Sequence, residues 1–288
     1  MKHLTRKFLF SLTENLWAAG FSLAGRMRHP VQEWDSQGGQ HILALAPHPD
    51  DEVAGCGGTL IRHHQAGDTT HLVYVTDGRG SHAGGLSPNE MAQRRAAEAQ
   101  ESAHILGVSQ VTFLGLKENE WEVEALVRVL KTLFENFPIT IVYTSSRVDF
   151  HPEHHKVAHA VALALAQSVR TDIRMRVYQL HVPLGNLVNR VCATASVAAI
   201  WRAALAAHAT QWGSTERVLR MAHYSAAYFG LAAPAEVFWE LPAQTYIHLH
   251  RQPLPWATGL FRGVRARPFS DPFAYWAGSK TRKTLLNI

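Results

Sequence analysis

Ile42-Leu43-Ala44-Leu45-Ala46-Pro47-His48-Pro49-Asp50-Asp51-Glu52 is the stretch on which the reading of this chain turns. Its first five residues form a continuous apolar run, the pattern of a short strand buried on both faces. Directly after it stand an imidazole and three carboxylates. In open α/β sheets ligands collect outside the carboxyl ends of the strands, so the cluster falls where a site is expected. Neighbouring Asp50 and Asp51 repel one another unless a cation neutralises the pair. A core turn has no use for that arrangement; a metal site does.

Working outward, Ile139-Thr140-Ile141-Val142-Tyr143 reads as another buried strand, followed by the loop Thr144-Ser145-Ser146-Arg147-Val148-Asp149-Phe150 and then His151-Pro152-Glu153-His154. Again a His/carboxylate cluster opens a helix just past a strand. In a parallel sheet both clusters reach one edge. Two histidines and one aspartate, with a position left open for water, make a catalytic divalent-metal arrangement.

The rest of the chain alternates β and α. Strands are predicted at 42–46, 70–76, 111–114, 139–143 and 174–180, and helices at 55–66, 88–106, 121–136 and 154–168. Gly67-Asp68 ends the first helix and Ser87-Pro88 caps the second. Ala-rich segments at 193–209 and 215–229 read as further helices. Short connections and right-handed crossovers then predict an α/β fold, a three-layer α/β/α Rossmann-like arrangement with a mostly parallel sheet. The expected division is an N-terminal extension, read as helical, over 1–40, a catalytic domain over 41–250 and a basic, aromatic tail over 251–288.

With 288 residues and 47% hydrophobic content the chain builds one large core or one domain with an appendage. Cys56 and Cys192 give no disulfide framework and suit a reducing compartment, so a cytoplasmic location is expected. Cys56 reads as a small packed thiol. The formal charge of +5, with arginine outnumbering lysine, favours anionic substrates or membrane surfaces. The basic start before Phe8-Leu9-Phe10 hints at a signal peptide, but Glu14 and Asn15 interrupt the apolar stretch and no convincing cleavage site follows. No run is long enough to span a bilayer. An amphipathic N-terminal helix could pack on the domain or lie on a membrane. The tail, mixing Arg262, Arg265 and Lys283 with Trp256, Phe261 and Trp276, wraps the core or meets a lipid-linked or anionic partner.

The His48-Pro49-Asp50-Asp51-Glu52 and His151-Pro152-Glu153-His154 pair resembles the zinc-dependent N-acetylglucosaminyl deacetylases of the PIG-L/LmbE-like family. The likeness extends through Thr76-Asp77-Gly78, Arg94-Arg95-Ala96-Ala97-Glu98 with Leu106-Gly107-Val108, Phe113-Leu114-Gly115-Leu116, Thr210-Gln211 and Ala235-Glu236-Val237-Phe238, spanning Ile42 to Leu241. The resemblance implies that His48, Asp51 and His154 hold the metal, zinc or ferrous iron. It implies Asp50 as general base and His151 as oxyanion stabiliser or acid, with Asp149 orienting His151. Arg94 or Arg95 would touch substrate. The implied partner is a small-molecule amino sugar, with a lipid-linked substrate, peripheral membrane contact or a homo-oligomer left open and nucleic acid not expected. Three positions depart from the family pattern: Glu153 replaces a usual Asp, Lys117-Glu118-Asn119 a common Pro-Asp-Gly turn, and Tyr178-Gln179 a frequent Tyr-Glu.

The chemistry also follows from the residues. A bound divalent ion lowers the pKa of water from about 15.7 towards roughly 7 and polarises a carbonyl. A carboxylate free of the ion must then take the water proton and pass it to the amine. Asp50 and Asp51 divide that labour, one free and one binding. His151 can donate to the developing oxyanion, and Asp149 could keep it protonated. Other histidines (His63, His64, His71, His82, His104, His208) stand alone and read as surface or satisfied core, and His155 and His159 as facing away from His154. Three rival readings are a non-catalytic carbohydrate- or metal-binding relative, a non-haem iron enzyme on the same two-His-one-Asp site, and a dinucleotide-binding module. For the last, Gly55-Cys56-Gly57-Gly58 lacks the G-x-G-x-x-G spacing and the nearby carboxylates would repel pyrophosphate.

Overall fold

The apolar run predicted at 42–46 is a strand of the sheet, and its alternation sorts the two cores. Ile42, Ala44 and Ala46 face one helical layer, while Leu43 and Leu45 face the other. The computed structural model describes residues 31–34, 36–252 and 278–287, together with positions 16, 19, 20 and 23. Among these, the strands β1 (Gln32–Glu33), β2 (His41–Ala46), β3 (Thr69–Thr76), β4 (Gln110–Leu116), β5 (Ile141–Thr144), β6 (Arg174–Tyr178), β7 (Arg190–Ala193) and β8 (Ala235–Pro242) form one sheet. Its order is β1-β7-β8-β6-β5-β2-β3-β4. β4 through β6 run parallel to β2, and β8 is antiparallel to both β6 and β7.

The helices are α1 (Asp51–Gln65), α2 (Pro88–Leu106), α3 (Val123–Asn136), α4 (Pro152–Ala166), α5 (Ala198–Ala207), α6 (Trp212–Phe229), α7 (Ala243–Arg251) and α8 (Ser279–Leu286). Side chains 212–217 of α6 lie outside the described set. Leu60, Ala99, Trp201 and Ala222 bring α1, α2, α5 and α6 to one face of the sheet. Leu130, Val161 and Ile247 bring α3, α4 and α7 to the other. The three-layer architecture expected from the β/α alternation is therefore present.

After β2 the chain moves one way to β3 and β4, then returns to place β5 on the other side of β2. Sheets of this kind open a crevice at such a reversal of strand order. Both clusters leave the sheet there, since β2 and β5 are hydrogen-bonded neighbours in register from Ile42↔Ile141 to Ala44↔Tyr143.

Several boundaries differ from the sequence expectation. α1 starts at Asp51 rather than 55, because Asp51 and Glu52 occupy the N-terminal turn that favours negative charge. The helix breaks at Cys56 (φ −150°) and resumes. The glycines around the break serve close packing: a Cβ at Gly55 would lie 2.5 Å from the Tyr178 ring, and one at Gly58 2.6 Å from Thr194. The N–H groups of Gly58 and Thr59 at the restart are taken by Glu236. That leaves no phosphate cradle. Cys56 is buried, and burial raises its thiol pKa, as fits a packed thiol. α2 starts as expected, with a reciprocal Ser87–Glu90 capping box.

The segment 193–209 is only partly helical. Its first residue ends β7, a strand too short to show a period, and the helix runs 198–207. β1 and Trp34 also belong to the sheet domain, because Gln32 pairs with Arg190 and the Trp34 N–H donates to Val191 O at 2.6 Å. The domain thus reaches back past 41. Most of the predicted extension and the tail residues Trp256 to Trp276 lie outside the described residues. The last helix, α8, packs on the domain through buried Leu285 and an Arg282 Nη1–Pro183 O bond of 2.8 Å. No helix among the described residues is long and apolar enough to cross a membrane.

Candidate metal centre

The two clusters meet. Asp51, in the first turn of α1, points Oδ2 back into the turn that precedes it. That atom accepts the His48 backbone N–H at 2.7 Å, lies 3.0 Å from His48 Nδ1 and stands 3.2 Å from His154 Nε2. His151 closes the group, its ring centroid 4.6 Å from that of His48 and 4.9 Å from that of His154. Ligand nitrogens of His48, His151 and His154 all lie within 4.8 Å of one another.

The donor set fits a divalent cation. Ligand atoms held 2.0–2.2 Å from a tetrahedral ion stand roughly 3.3–3.6 Å apart, close to the Asp51 separations. His48 Nε2 and both ring nitrogens of His154 are buried without a hydrogen-bond partner, although carboxylates lie within ion-pair distance. Buried polar atoms are nearly always satisfied, so unpaired nitrogens on two adjacent imidazoles, ringed by carboxylates, mark a candidate ligand position.

The electrostatics point the same way. Burial pulls the His48 imidazole down, but Asp51 and Glu118 outweigh it and hold the pKa at about 9. His154 opposes burial through Asp51 and Asp149 and reaches about 10. Burial acts against the Asp51 carboxylate, yet His154 and His48 hold its pKa well below the usual range. The pocket is a negative field that draws positive charge inward, and a cation satisfies it with neutral imidazoles as ligands.

Asp50, the adjacent acid, is absent from this ligand group. Its Oδ1 accepts from Arg95 Nη2 at 2.8 Å. Burial and the neighbouring Asp51 charge raise its carboxyl pKa against the pull of Arg95. The two aspartates are thus split between ligand cluster and arginine.

Asp149 behaves differently from the expectation. Its Oδ1 takes the backbone N–H of His151 at 3.0 Å, but the carboxylate faces the rings of His154 (3.3 Å) and His181 (3.1 Å), not the His151 ring. Asp149 thereby supports His154 from behind, as outer carboxylates orient metal-binding imidazoles. Nor is His151 held protonated: burial and the neighbouring His154, His48 and His181 rings push it down to about 3. As N-cap of α4 it accepts the Glu153 N–H on Nδ1 at 3.3 Å. The neutral ring therefore carries its proton on Nε2.

The arginines separate as well. Arg94 has a side chain 60% exposed and pairs with Glu98 at 3.2 Å, whereas the Arg95 side chain is 6% exposed and its Nη1 and Nη2 bond to groups of the protein. Arg95 and Glu98, three apart on α2, do not pair, because Glu98 binds Arg94 and the Thr210 N–H and hydroxyl.

Two residues at the site escaped the sequence reading. His181, just past the end of β6, meets Asp149 through its backbone N–H and its ring. Asp149, His154 and His181 form a second group with ligand-like spacing. Filling both groups would require His154 to bind through both nitrogens as an imidazolate, so Asp149 and His181 are read as support. Glu118, past the end of β4, places Oε1 3.5 Å from His48 Nε2 and accepts the Gly80 N–H at 2.8 Å. His48 outweighs burial there and brings the Glu118 pKa to about 2. The usable signal for both was position, since each follows the C-terminal end of a parallel strand.

Comparison with known proteins agrees with this geometry. Residues 43–165 match the family model described as PIG-L: GlcNAc-PI de-N-acetylase. The diacetylchitobiose deacetylase of Thermococcus kodakarensis is 30% identical over 118 residues, covering 39% of this chain and 44% of that protein. The chain spans about half the length of the curated relatives it matches. Among solved structures, the N,N'-diacetylchitobiose deacetylase from Pyrococcus horikoshii superposes with a TM-score of 0.63 at 23% identity, over 72% of this chain and 85% of that one. GalB of Pseudomonas putida KT2440, a 4-carboxy-2-hydroxymuconate hydratase, shares the fold at a TM-score of 0.59 and 20% identity, over 70% and 96%. The fold therefore supports more than one chemistry, and function must be argued from the site.

Proposed function

From the match of residues 43–165 to the PIG-L family model, we propose that this protein is a zinc-dependent hydrolase that removes the acetyl group from an N-acetylglucosamine-type amino sugar or its conjugate. The observation that carries the reading is the division of two adjacent aspartates: Asp51 lies between the His48 and His154 rings, against the unpaired His154 Nε2, while Asp50 is drawn off to Arg95.

His48, Asp51 and His154 would hold the ion, with N and O donors suited to zinc. Bound there, the ion would supply Lewis acidity, making water more acidic and the acyl carbonyl more electrophilic. Asp50 accepts the proton of the attacking water, and its raised carboxyl pKa brings it nearer the working pH of a general base. The same proton then returns to the leaving amine. His151, with Nδ1 engaged by the helix, offers Nε2–H to the oxygen that becomes negative. Asp149 keeps the His154 ring in place and His181 braces Asp149. The amino-sugar substrate is supported by the family description and by the printed name of the Thermococcus relative.

The test is a panel of N-acetyl glycosides, including N-acetylglucosamine and chitooligosaccharides, assayed for free amine with zinc-loaded protein. Amine release that a chelator abolishes and zinc restores is the expected result. A zinc-loaded protein that binds the sugars stoichiometrically without releasing acetate would overturn the reading in favour of a binding protein.

A further inference from the structure

Asp50 has φ 135° and ψ −18°, and Asn119 is the only other non-glycine with positive φ among the described residues. That conformation is strained for an L-residue and persists only where the surroundings impose it. Asp50 also occupies the N-cap of α1, where an aspartate ordinarily accepts an N–H from the first turn, yet its side chain makes no such bond. Local preference and capping both favour another conformation.

Buried groups from elsewhere in the chain oppose that relaxation. Arg95 Nη2 donates to Pro49 O at 2.5 Å and to Asp50 Oδ1 at 2.8 Å, while Nη1 donates to Gly78 O at 3.1 Å. Gly78, itself at φ 64°, has no room for a side chain, because a Cβ there would lie 2.7 Å from Arg95 Nη1. On the other side Glu52 Oε2 accepts the Asp50 N–H at 3.1 Å. Glu52 Oε1 is fixed by the Tyr74 hydroxyl at 2.8 Å and faces His208 Nε2 at 3.3 Å. Arg95, Glu52, Tyr74 and His208 are all buried. One planar guanidinium thus grips a carbonyl and a carboxylate of the same turn while a buried carboxylate grips its amide, a geometry that an ammonium could not reproduce.

We propose that Arg95 and Glu52 are positioning residues that clamp the Pro49–Asp50 turn in its left-handed conformation and so keep the Asp50 carboxylate from joining Asp51 as a second metal ligand. This rests on the reading of Asp50 as the base, and it gives Arg95 a role within the protein in place of substrate contact.

Two measurements test the clamp. Glycine adopts this φ without strain whereas alanine does not, so zinc-loaded Asp50→Gly is expected to melt about 2–8 °C above Asp50→Ala. Equal melting temperatures would overturn the strain. Arg95→Ala is expected to keep its zinc by elemental analysis and to hold KM within about threefold. Its kcat should fall on the order of a hundredfold, as a displaced catalytic group does. Added guanidinium should restore part of that loss, and Arg95→Lys should not. A large rise in KM with kcat unchanged would make Arg95 a substrate contact and overturn the proposal. If the wild-type protein releases no amine from any glycoside, the functional reading fails on its own, and the Gly-against-Ala comparison still decides the clamp.

Discussion

Two buried clusters of histidine and carboxylate lie at opposite ends of the sheet, and they differ in what they leave unpaired. Toward the N-terminal ends of the parallel strands, His63 has both ring nitrogens engaged, Nδ1 with Asp68 at 2.5 Å and Nε2 with the Tyr143 hydroxyl at 2.8 Å. The Tyr143 hydroxyl accepts from Arg176, which pairs with Glu240, which binds Arg190. At the other end, His48 and His154 carry orphaned nitrogens while carboxylates crowd around them. Burial lowers the His63 pKa, whereas at the other end carboxylates raise those of His48 and His154. A closed network holds a fold together. An open one of the same composition is held ready for a ligand.

Breaking that contrast at its sharpest point means removing His154. His154→Ala is expected to lose zinc and all measurable turnover, as read by elemental analysis of the purified variant. Zinc should also cease to raise its melting temperature, whereas wild-type protein at a hundredfold excess over Kd should gain about 2.7 kcal/mol. Retained zinc would return the lower and upper clusters to the same class. Asp50→Asn should keep the ion and lose about 10²–10⁴-fold in kcat, since it alters the free acid only; near-normal turnover would sink the assigned base.

On the other side of the contrast, His63→Ala should cost about 2–4 kcal/mol in urea unfolding by removing one buried partner each from Asp68 and the Tyr143 hydroxyl and leaving the space of the ring unfilled. Its zinc-induced stabilisation should match wild type. Loss of zinc in this variant would mean that the two clusters are coupled.

Glu236 offers the smallest and most graded test, being satisfied by three donors but without a cation. Burial outweighs the bonds from Gly58 and Thr59 and lifts its pKa from 4.5 to about 7. The folded chain therefore keeps a proton that the unfolded chain releases. The contribution to stability is fully present below about pH 4.5 and is lost as pH rises through about 7. Glu236→Gln should flatten that part of the stability–pH curve by about 1–3 kcal/mol relative to wild type. An unchanged slope would show that the donors hold the carboxylate ionised.

Much of this was legible before any coordinates. The two His/carboxylate clusters, at His48 to Glu52 and at His151 to His154, could be picked out because each follows an apolar strand signal at short range; the family resemblance, not the spacing, singled out His48, Asp51 and His154 within them. The cap at Ser87-Pro88 was legible because capping acts within a single turn. Legibility failed where partners are distant. Asp149 was assigned to His151, two residues away, but its carboxylate turns to His154 and to His181 on another strand's exit. By sequence Arg94 and Arg95 are equal candidates for substrate contact, and helical period alone cannot show that the Arg95 face is buried against the Asp50 turn. β7 and β8 carried too little local pattern to separate them from the Ala-rich segment between them.

The sequence by itself determined that two clusters of histidine and carboxylate would leave the sheet at strand ends, because apolar runs, helix starts and adjacent charges act over a few residues. Only the tertiary structure decided which strands lie side by side, and hence that Asp51 meets His154 while Asp50 meets Arg95. Those pairings join residues far apart in the chain, and sheet order and side-chain packing set them together.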